Sequence, residues 1–176
     1  MLWLAIINNI WAEQCIIERC IFQNAVLKNA NFTYANISDV DFSEGRLYSA
    51  NFTESVIKEC QFEKAYCSEI SLKGAKLKDC KFEYAIMSSA DLSGASLENV
   101  SFMDAVCYDS LWIKTQVENS CFQRCVLSNA RIVGQNDEKT RIAGCDFKYA
   151  NLSNIAITNI EFCRCDFKCA DFTSAR

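Results

Sequence analysis

The chain contains no histidine and no proline, and only five glycines in 176 residues. Without histidine, the commonest general base, the usual metal ligand and the standard nucleophile triads fall away together. Glycine-rich phosphate cradles are missing, and no carboxylate pair lies in an evidently apolar pocket. The chain is therefore expected not to be an enzyme and to need no cofactor. The lack of proline has a structural meaning instead: nearly every backbone N–H stays available to a hydrogen-bonded ladder.

Clustered positive charge is also missing. Eighteen Lys and Arg against 22 Asp and Glu give a formal charge of -4 and a pI near 5.0, which argues against a nucleic-acid partner, because phosphate contacts need grouped cations. Residues 1–110 carry 9 basic and 15 acidic side chains and residues 111–176 carry 9 and 7, so attraction for a cationic partner lies toward the N-terminal half. The opening MLWLAIINNIWAEQC has no basic start, is broken by Asn8 and Asn9, and is too short to span a bilayer. Gln14 stands before Cys15, where a lipoprotein signal needs a small residue. Neither a cleavable signal peptide nor a membrane partner is expected.

What the chain does have is a period of five. Every residue whose number ends in 2 or 7, from Ile17 to Phe172, is apolar except Asp137, and all twelve Phe stand at such positions. The residue two before is usually Ala, Cys, Ser, Thr, Val or Gly. A five-residue step fits neither a helix nor an ordinary strand, so it belongs to a repeat architecture. If each unit forms one side of a square turn, four units make a coil and residues twenty apart stack. Phe22, Phe42, Phe62, Phe82, Phe102 and Phe122, then Ile142, then Phe162 would form one core column. Eight coils at the inter-strand spacing make a rod roughly 38 Å long. The large residue fills the coil centre, and a bulky side chain two positions earlier would collide with the facing wall. Asn or Asp just before the central residue, as at Asn31, Asn36, Asp41, Asn51, Asp91, Asp146, Asn151, Asp166 and Asp171, can bond to backbone in the tight corner that follows.

Segments such as AVLKN, ANFTY, VDFSE, ANFTE, AKLKD, ADLSG, CDFKY and ADFTS follow one formula. Over roughly residues 15–176 this resembles the pentapeptide-repeat family. The resemblance implies an all-β, right-handed quadrilateral β-helix of about eight coils. For residues 1–14 two readings stand. Trp3, Ile6, Ile7, Ile10 and Trp11 fall at helical spacing, which favours a short capping helix, whereas Leu2, Ile7 and Ala12 keep the five-residue register of one more irregular coil.

Two places break the pattern. Residues 133–141, VGQNDEKTR, carry Gln135 and Asp137 where inward residues belong, yet Ile142 resumes in phase. A polar loop replacing one or two sides of a coil is expected there. The second break is SLWIKTQV, residues 110–117, where Trp112 holds the central position. Its size predicts a bulge or a widened coil.

The twelve cysteines follow the register and form no paired clusters. Free Cys then acts as a small hydrophobe in a reducing compartment, such as the cytoplasm of its own cell or of a host into which it is delivered. Cys60 with Cys80, and Cys125 with Cys145 and Cys165, are expected to stack as packed thiols. Cys163, Cys165 and Cys169 should point different ways, so no metal site is expected.

Surface apolar residues are the better functional lead. Met103, Tyr108, Leu111, Ile113 and Val133 fall on outward or corner positions. Leu111, Ile113 and Val133, with loop residues Gln135, Asn136, Asp137, Glu138 and Lys139, form the candidate partner-binding site. At the other end, an uncapped last coil would expose Phe167, Phe172 and unpaired backbone, which predicts an end-to-end homodimer or a fragment. The expected function is a non-catalytic protein–protein interaction scaffold or effector. The alternative, implied by the quinolone-resistance members of the family, is a DNA mimic acting on gyrase. That role needs an extended negative face, and only Asp39, Glu59 and Asp79 form a good acidic column.

Overall fold

The computed structural model describes residues 6–134 and 140–176. Among these residues eleven short strands occur, in the order β1 Ile16–Glu18, β2 Asn36–Ser38, β3 Val56–Lys58, β4 Lys76–Lys78, β5 Ser96–Glu98, β6 Leu111–Ile113, β7 Gln116–Glu118, β8 Arg131–Val133, β9 Thr140–Ala143, β10 Ala156–Thr158 and β11 Ile160–Cys163. They are short because the chain turns a corner every five residues. β1, β2, β3, β4, β5, β7, β9 and β11 stack as one parallel sheet of eight strands, so seven complete turns separate the first from the last. β6, β8 and β10 form a second, three-stranded parallel sheet. Isolated parallel bridges such as Ile21↔Asp41 and Val26↔Arg46 continue the ladder along the other sides.

Each coil thus has four sides, centred in the second coil on Ile37, Phe42, Leu47 and Phe52; all four are fully buried. The inward small residues, including Ala35, Ala50, Ala65, Ala85 and Ala105, are equally dry. Phe62 and Phe82 stack face to face at 4.5 Å, and Phe42–Phe62 and Phe82–Phe102 follow at 4.9 and 5.3 Å. Perpendicular contacts to the fourth-side Phe52, at 6.0 and 6.1 Å, tie adjacent columns together.

The corners rest on two devices. Asn31, Asp41, Asn51, Asp91, Asp146, Asn151, Asp166 and Asp171 each accept a bond at Oδ1 from the backbone N–H two residues on, at 2.8 to 3.1 Å. This satisfies a donor the turn would otherwise strand. The second device is less visible in sequence. The last residue of each unit is left-handed, with φ between 49° and 60° at residues as different as Tyr34, Glu59, Lys64 and Asn119. That conformation is costly for non-glycine residues and persists because the ladders above and below over-determine it.

Three expectations need correction. Among the described residues there is no helix; from Ile6 onward the N-terminus is coil, with Ile6 bridged to Val26 and Trp11 to Asn31. The five-residue register outcompetes helical spacing there because it docks Ile7 and Ala12 onto the core. Trp112 causes no bulge: Leu111 pairs with Arg131 at the usual twenty-residue step. Its ring fits edge-on between Phe102 and Phe122, at 5.5 and 5.7 Å, and its indole N–H donates to Ser110 Oγ at 2.7 Å.

The third correction concerns the loop. It replaces no side; it is an extra unit placed at the corner between the fourth side and the first. Stacking partners accordingly change from twenty residues apart to twenty-five, as in Val117↔Ile142 and Arg131↔Ala156. The phenylalanine column runs Phe122–Phe147–Phe167, at 4.7 and 4.9 Å, while Ile142 and Phe162 belong to the neighbouring first side. For the same reason Cys145 stacks on Ser120 and Cys165, not on Cys125, which lies beneath Ala150 and Asn151.

Cysteine accessibility gives a direct test. Cys60, Cys67, Cys80, Cys107, Cys125 and Cys145 are buried, whereas Cys15 and Cys169 are exposed. Burial pushes the Cys67 and Cys125 thiols far above their ordinary value and Cys145 up to about 12. In a thiol-labelling time course, Cys15 and Cys169 should react at once and the six buried ones only after unfolding. Fast labelling of all twelve would contradict the packing.

Candidate functional site

The outward residue before each central position is usually polar, because it stands on the side wall in water. On the third side it is not. There the bridged column reads Val26, Arg46, Tyr66, Ile86, Val106, Val126 and Asn151. Four successive coils therefore present Tyr66, Ile86, Val106 and Val126 one above another, over about 14 Å at ladder spacing. Tyr66 and Ile86 are 40 % and 37 % exposed, and Val106 and Val126 half-buried.

Aromatic residues widen this stripe from both corners. Tyr48 lies 6.0 Å from Tyr66, ring to ring. Tyr108 and Tyr84 are 42 % and 55 % exposed. The Tyr108 phenol is held above its ordinary pKa by a hydrogen bond to Asp109 and by that carboxylate's charge. At the N-terminal end of the stripe, Asn24, Glu44, Arg46, Lys64 and Tyr66 line an open depression of about 340 Å³. Rigid tyrosines beside aliphatic side chains, with charges at the margin, are the composition that protein interfaces favour.

The loop-side residues are placed differently. Ile113 stacks on Val133 as expected, and Val133 on Thr158; Leu111 stacks on Arg131. All three apolar residues are half-buried within the three-stranded sheet. Gln135, Asn136, Asp137, Glu138 and Lys139 lie outside the described residues. Gly134 has no room for a side chain, since a Cβ there would collide with the carbonyl oxygen of Asn159. Tyr108 belongs with the third-side stripe, whereas Met103 is half-buried after the second-side centre Phe102, just before the corner at Asp104. The rest of that stripe escaped the sequence reading, which examined the pre-central position only for Asn and Asp; its twenty-residue recurrence of Tyr, Ile, Val and Val was the available signal.

At the C-terminal end Phe172 is 40 % exposed and Phe167 half-buried against Phe147. Among the described residues no group of three or more Cys, Asp or Glu converges as a metal site. Nor is any helix among them long and apolar enough to cross a membrane.

Two family models match along the chain, one described as a pentapeptide repeat region over residues 8–72 and one as pentapeptide repeats, eight copies, over 60–99 and 143–176. Together they cover most of the coils. The chain belongs to the pentapeptide-repeat family. The gap between the matched segments contains the loop and the Trp112 coil, the stretch where the formula is interrupted. No curated protein matches the chain. Among solved structures, this pentapeptide-repeat protein is similar to one from the Arabidopsis thaliana thylakoid lumen, with 19 % identity, 53 % of this chain and 64 % of that chain covered, and a TM-score of 0.50. It is also similar to HetL of the cyanobacterium Nostoc, involved in heterocyst differentiation regulation (17 %, 96 % and 87 %, 0.41). A third is QnrB1, a plasmid-mediated fluoroquinolone resistance protein (14 %, 99 % and 91 %, 0.45). Such likenesses concern the coil and leave function to the surface.

Proposed function

We propose that this pentapeptide-repeat protein is a non-catalytic scaffold that binds another protein along its third side, with Tyr66, Ile86, Val106 and Val126 as the centre of the contact. One observation carries this reading: four successive coils carry apolar side chains, two exposed and two half-buried, at a position that the other sides fill mostly with polar residues. A rigid rod supports it, because side chains held at ladder spacing lose little conformational entropy on docking. The unpaired thiols suit a reducing compartment, whether the cytoplasm of its own cell or of a host.

The gyrase-directed reading stands below it. Acidic groups that a DNA mimic would display are neutralised by neighbours: Lys73 pairs with Asp91 at 3.0 Å, Lys78 with Glu98 at 2.7 Å, and Arg124 with Asp104 at 2.6 Å. Lys148 bridges Asp146 and Asp166 at 3.2 and 3.1 Å. The column Asp39, Glu59, Asp79 gives way to Asn99, whose amide donates to Asp79 at 3.0 Å. A supercoiling assay is expected to show neither inhibition of gyrase nor its protection.

The test of the scaffold reading is a comparative pull-down. Tyr66→Asp combined with Ile86→Asp changes only exposed side chains, so the fold should survive, checked by circular dichroism. A partner retained by the unaltered protein should fall at least tenfold with the double variant and stay unchanged with Ile113→Ser or without residues 135–139. The reverse pattern would move the site to the loop side. Self-association through the end carrying Phe167 and Phe172 is part of the proposal, and a strict monomer by light scattering removes it.

A further inference from the structure

The corner between the second and third sides carries a pattern of charge. Its stacked column reads Glu44, Lys64, Tyr84, Asp104 and Arg124, with each coil laddered to the next through bonds such as Lys64 N–H to Glu83 O and Tyr84 N–H to Met103 O. In signs this is minus, plus, neutral, minus, plus. Read from the other end it is plus, minus, neutral, plus, minus, so the column complements its own reverse about Tyr84. Glu44, Lys64, Tyr84 and Arg124 are exposed and Asp104 is half-buried. Arg124 Nε and Nη2 donate to the two Asp104 oxygens at 2.6 and 2.7 Å, whereas Glu44 and Lys64 stand in no ion pair among the described residues.

This column and the third-side stripe form one surface, since Glu44 and Lys64 line the same depression as Arg46 and Tyr66. Two copies of one wall meet face to face about a two-fold axis that runs either across the rods or along them. An axis across the rods makes them antiparallel and sets each column against its own copy. Centred on the coil of Tyr84 and Ile86, it puts Glu44 opposite the second copy's Arg124 and Lys64 opposite its Asp104. On the stripe, Ile86 meets Ile86, Tyr66 meets Val106, and the aliphatic stem of Arg46 meets Val126. The match extends from Glu44 to Arg124, about 19 Å at ladder spacing. Other alignments fail: moving the centre half a coil toward Asp104 sets Lys64 against Arg124, and a whole coil sets Asp104 against itself. An axis along the rods sets Asp104 against Asp109. In the antiparallel pair the far corner brings Glu69 toward Asp109, a contact of like sign, so the contact leans toward the Tyr84 corner.

We propose that two copies of this chain pair side by side and antiparallel through the third side, about a two-fold axis at Tyr84 and Ile86. The inference rests on the third-side reading above and names the partner as a second copy. An isologous interface requires a surface that complements its own reverse; here the corner column does so in charge while the stripe supplies apolar contact. The Asp104–Arg124 pair fixes those two charges before contact, which lowers the entropy lost on docking. One wall is narrow, which places the contact at the small end of specific interfaces and makes the dimer dependent on concentration. End-to-end association through Phe167 and Phe172 is a different contact and leaves the third side in water.

Sedimentation equilibrium of the full chain over a range of concentrations tests this. Monomer and dimer should interconvert, and high salt should weaken the dimer because the charge pairs lie at the surface. Lys64→Glu alone and Asp104→Lys alone each oppose like charges twice, and each should weaken self-association about tenfold or more. An equal mixture of the two variants should recover the dimer, because each then meets the opposite sign in the other; damage to the fold gives no such recovery. Phe172→Ser should leave the dimer unchanged. A strict monomer, a dimer indifferent to the charge changes, a mixture that fails to recover, or a dimer lost with Phe172→Ser would each overturn the inference. If the chain stays monomeric while the pull-down still loses its partner with Tyr66→Asp and Ile86→Asp, the third-side site stands and only the second copy is removed as its occupant.

Discussion

Removing residues 135–139 leaves a folded rod whose melting temperature moves by no more than about 4 °C, whereas removing the single residue Asn99 abolishes the cooperative transition. The difference lies in phase. The loop adds one whole unit, so stacked residues across it are twenty-five apart where all others are twenty apart. Deleting it joins Gly134 to Thr140 at an ordinary corner. Thr140 is already buried in the inward position that Thr115 holds one coil below. Gly134 would enter the left-handed conformation that Gly74 and Gly94 adopt at the same corner, with φ of 63° and 73°, at little cost for glycine. The change in stability is about 1 kcal/mol or less, since shortening a loop by a few residues saves only tenths of that in closure entropy.

Asn99 has no such slack. It is a left-handed corner residue, φ 54°, in an uninterrupted run of units. Its loss leaves a four-residue unit that cannot turn the corner with both Leu97 and Phe102 facing inward, so the ladder is broken in the middle of the rod. Circular dichroism melts of the two deletion variants decide the matter. A stable Asn99 deletion, or an unfolded 135–139 deletion, would refute this account of the register.

The second large effect is expected at the centre of the phenylalanine column. Phe82→Ala should cost roughly 3–5 kcal/mol, the usual range for emptying a large buried aromatic site. Phe82 is fully buried between Phe62 and Phe102, at 4.5 and 5.3 Å, and parallel ladders on both sides hold the backbone so that the walls cannot collapse into the cavity. Phe172→Ala removes the same side chain from the last side, where it is 40 % exposed and meets Phe167 at 5.5 Å, and should cost about 1 kcal/mol or less. Urea titrations of both variants measure the contrast. Since each coil touches only its neighbours, the Phe82 change should also lower cooperativity, splitting the rod into two weakly coupled halves. Equal losses for the two variants would mean that the rod's end is as well packed as its middle.

The core was legible down to single residues because the period of five states which side chains face inward. Ala85 had to be small because Phe82 and Met87 are large, and the structure buries all three. Corner chemistry was half legible. Carboxamides and carboxylates before the central residue marked the turns, but the left-handed residue closing each unit, Tyr84 or Lys64 as readily as Asn129, carries no consistent side chain, since backbone ladders impose its conformation. The candidate site was legible least. The loop and Ile113 drew notice because they break the pattern, whereas Tyr66, Ile86, Val106 and Val126 obey it and differ only in polarity. Their exposure depends on which neighbours rise beside them.

The sequence by itself determined position within the unit: which residue is central, which is small, which turns the corner. Only the tertiary structure decided which unit lies over which. The physical reason is that a five-residue insertion leaves the phase within a unit unchanged, so Ile142 still points inward, while it shifts the phase within a coil of twenty by one side. Local periodicity records the first and is blind to the second. It took the pairing of Val117 with Ile142 and the stacking of Phe122 on Phe147 to show that the phenylalanine column steps past the loop instead of running through it.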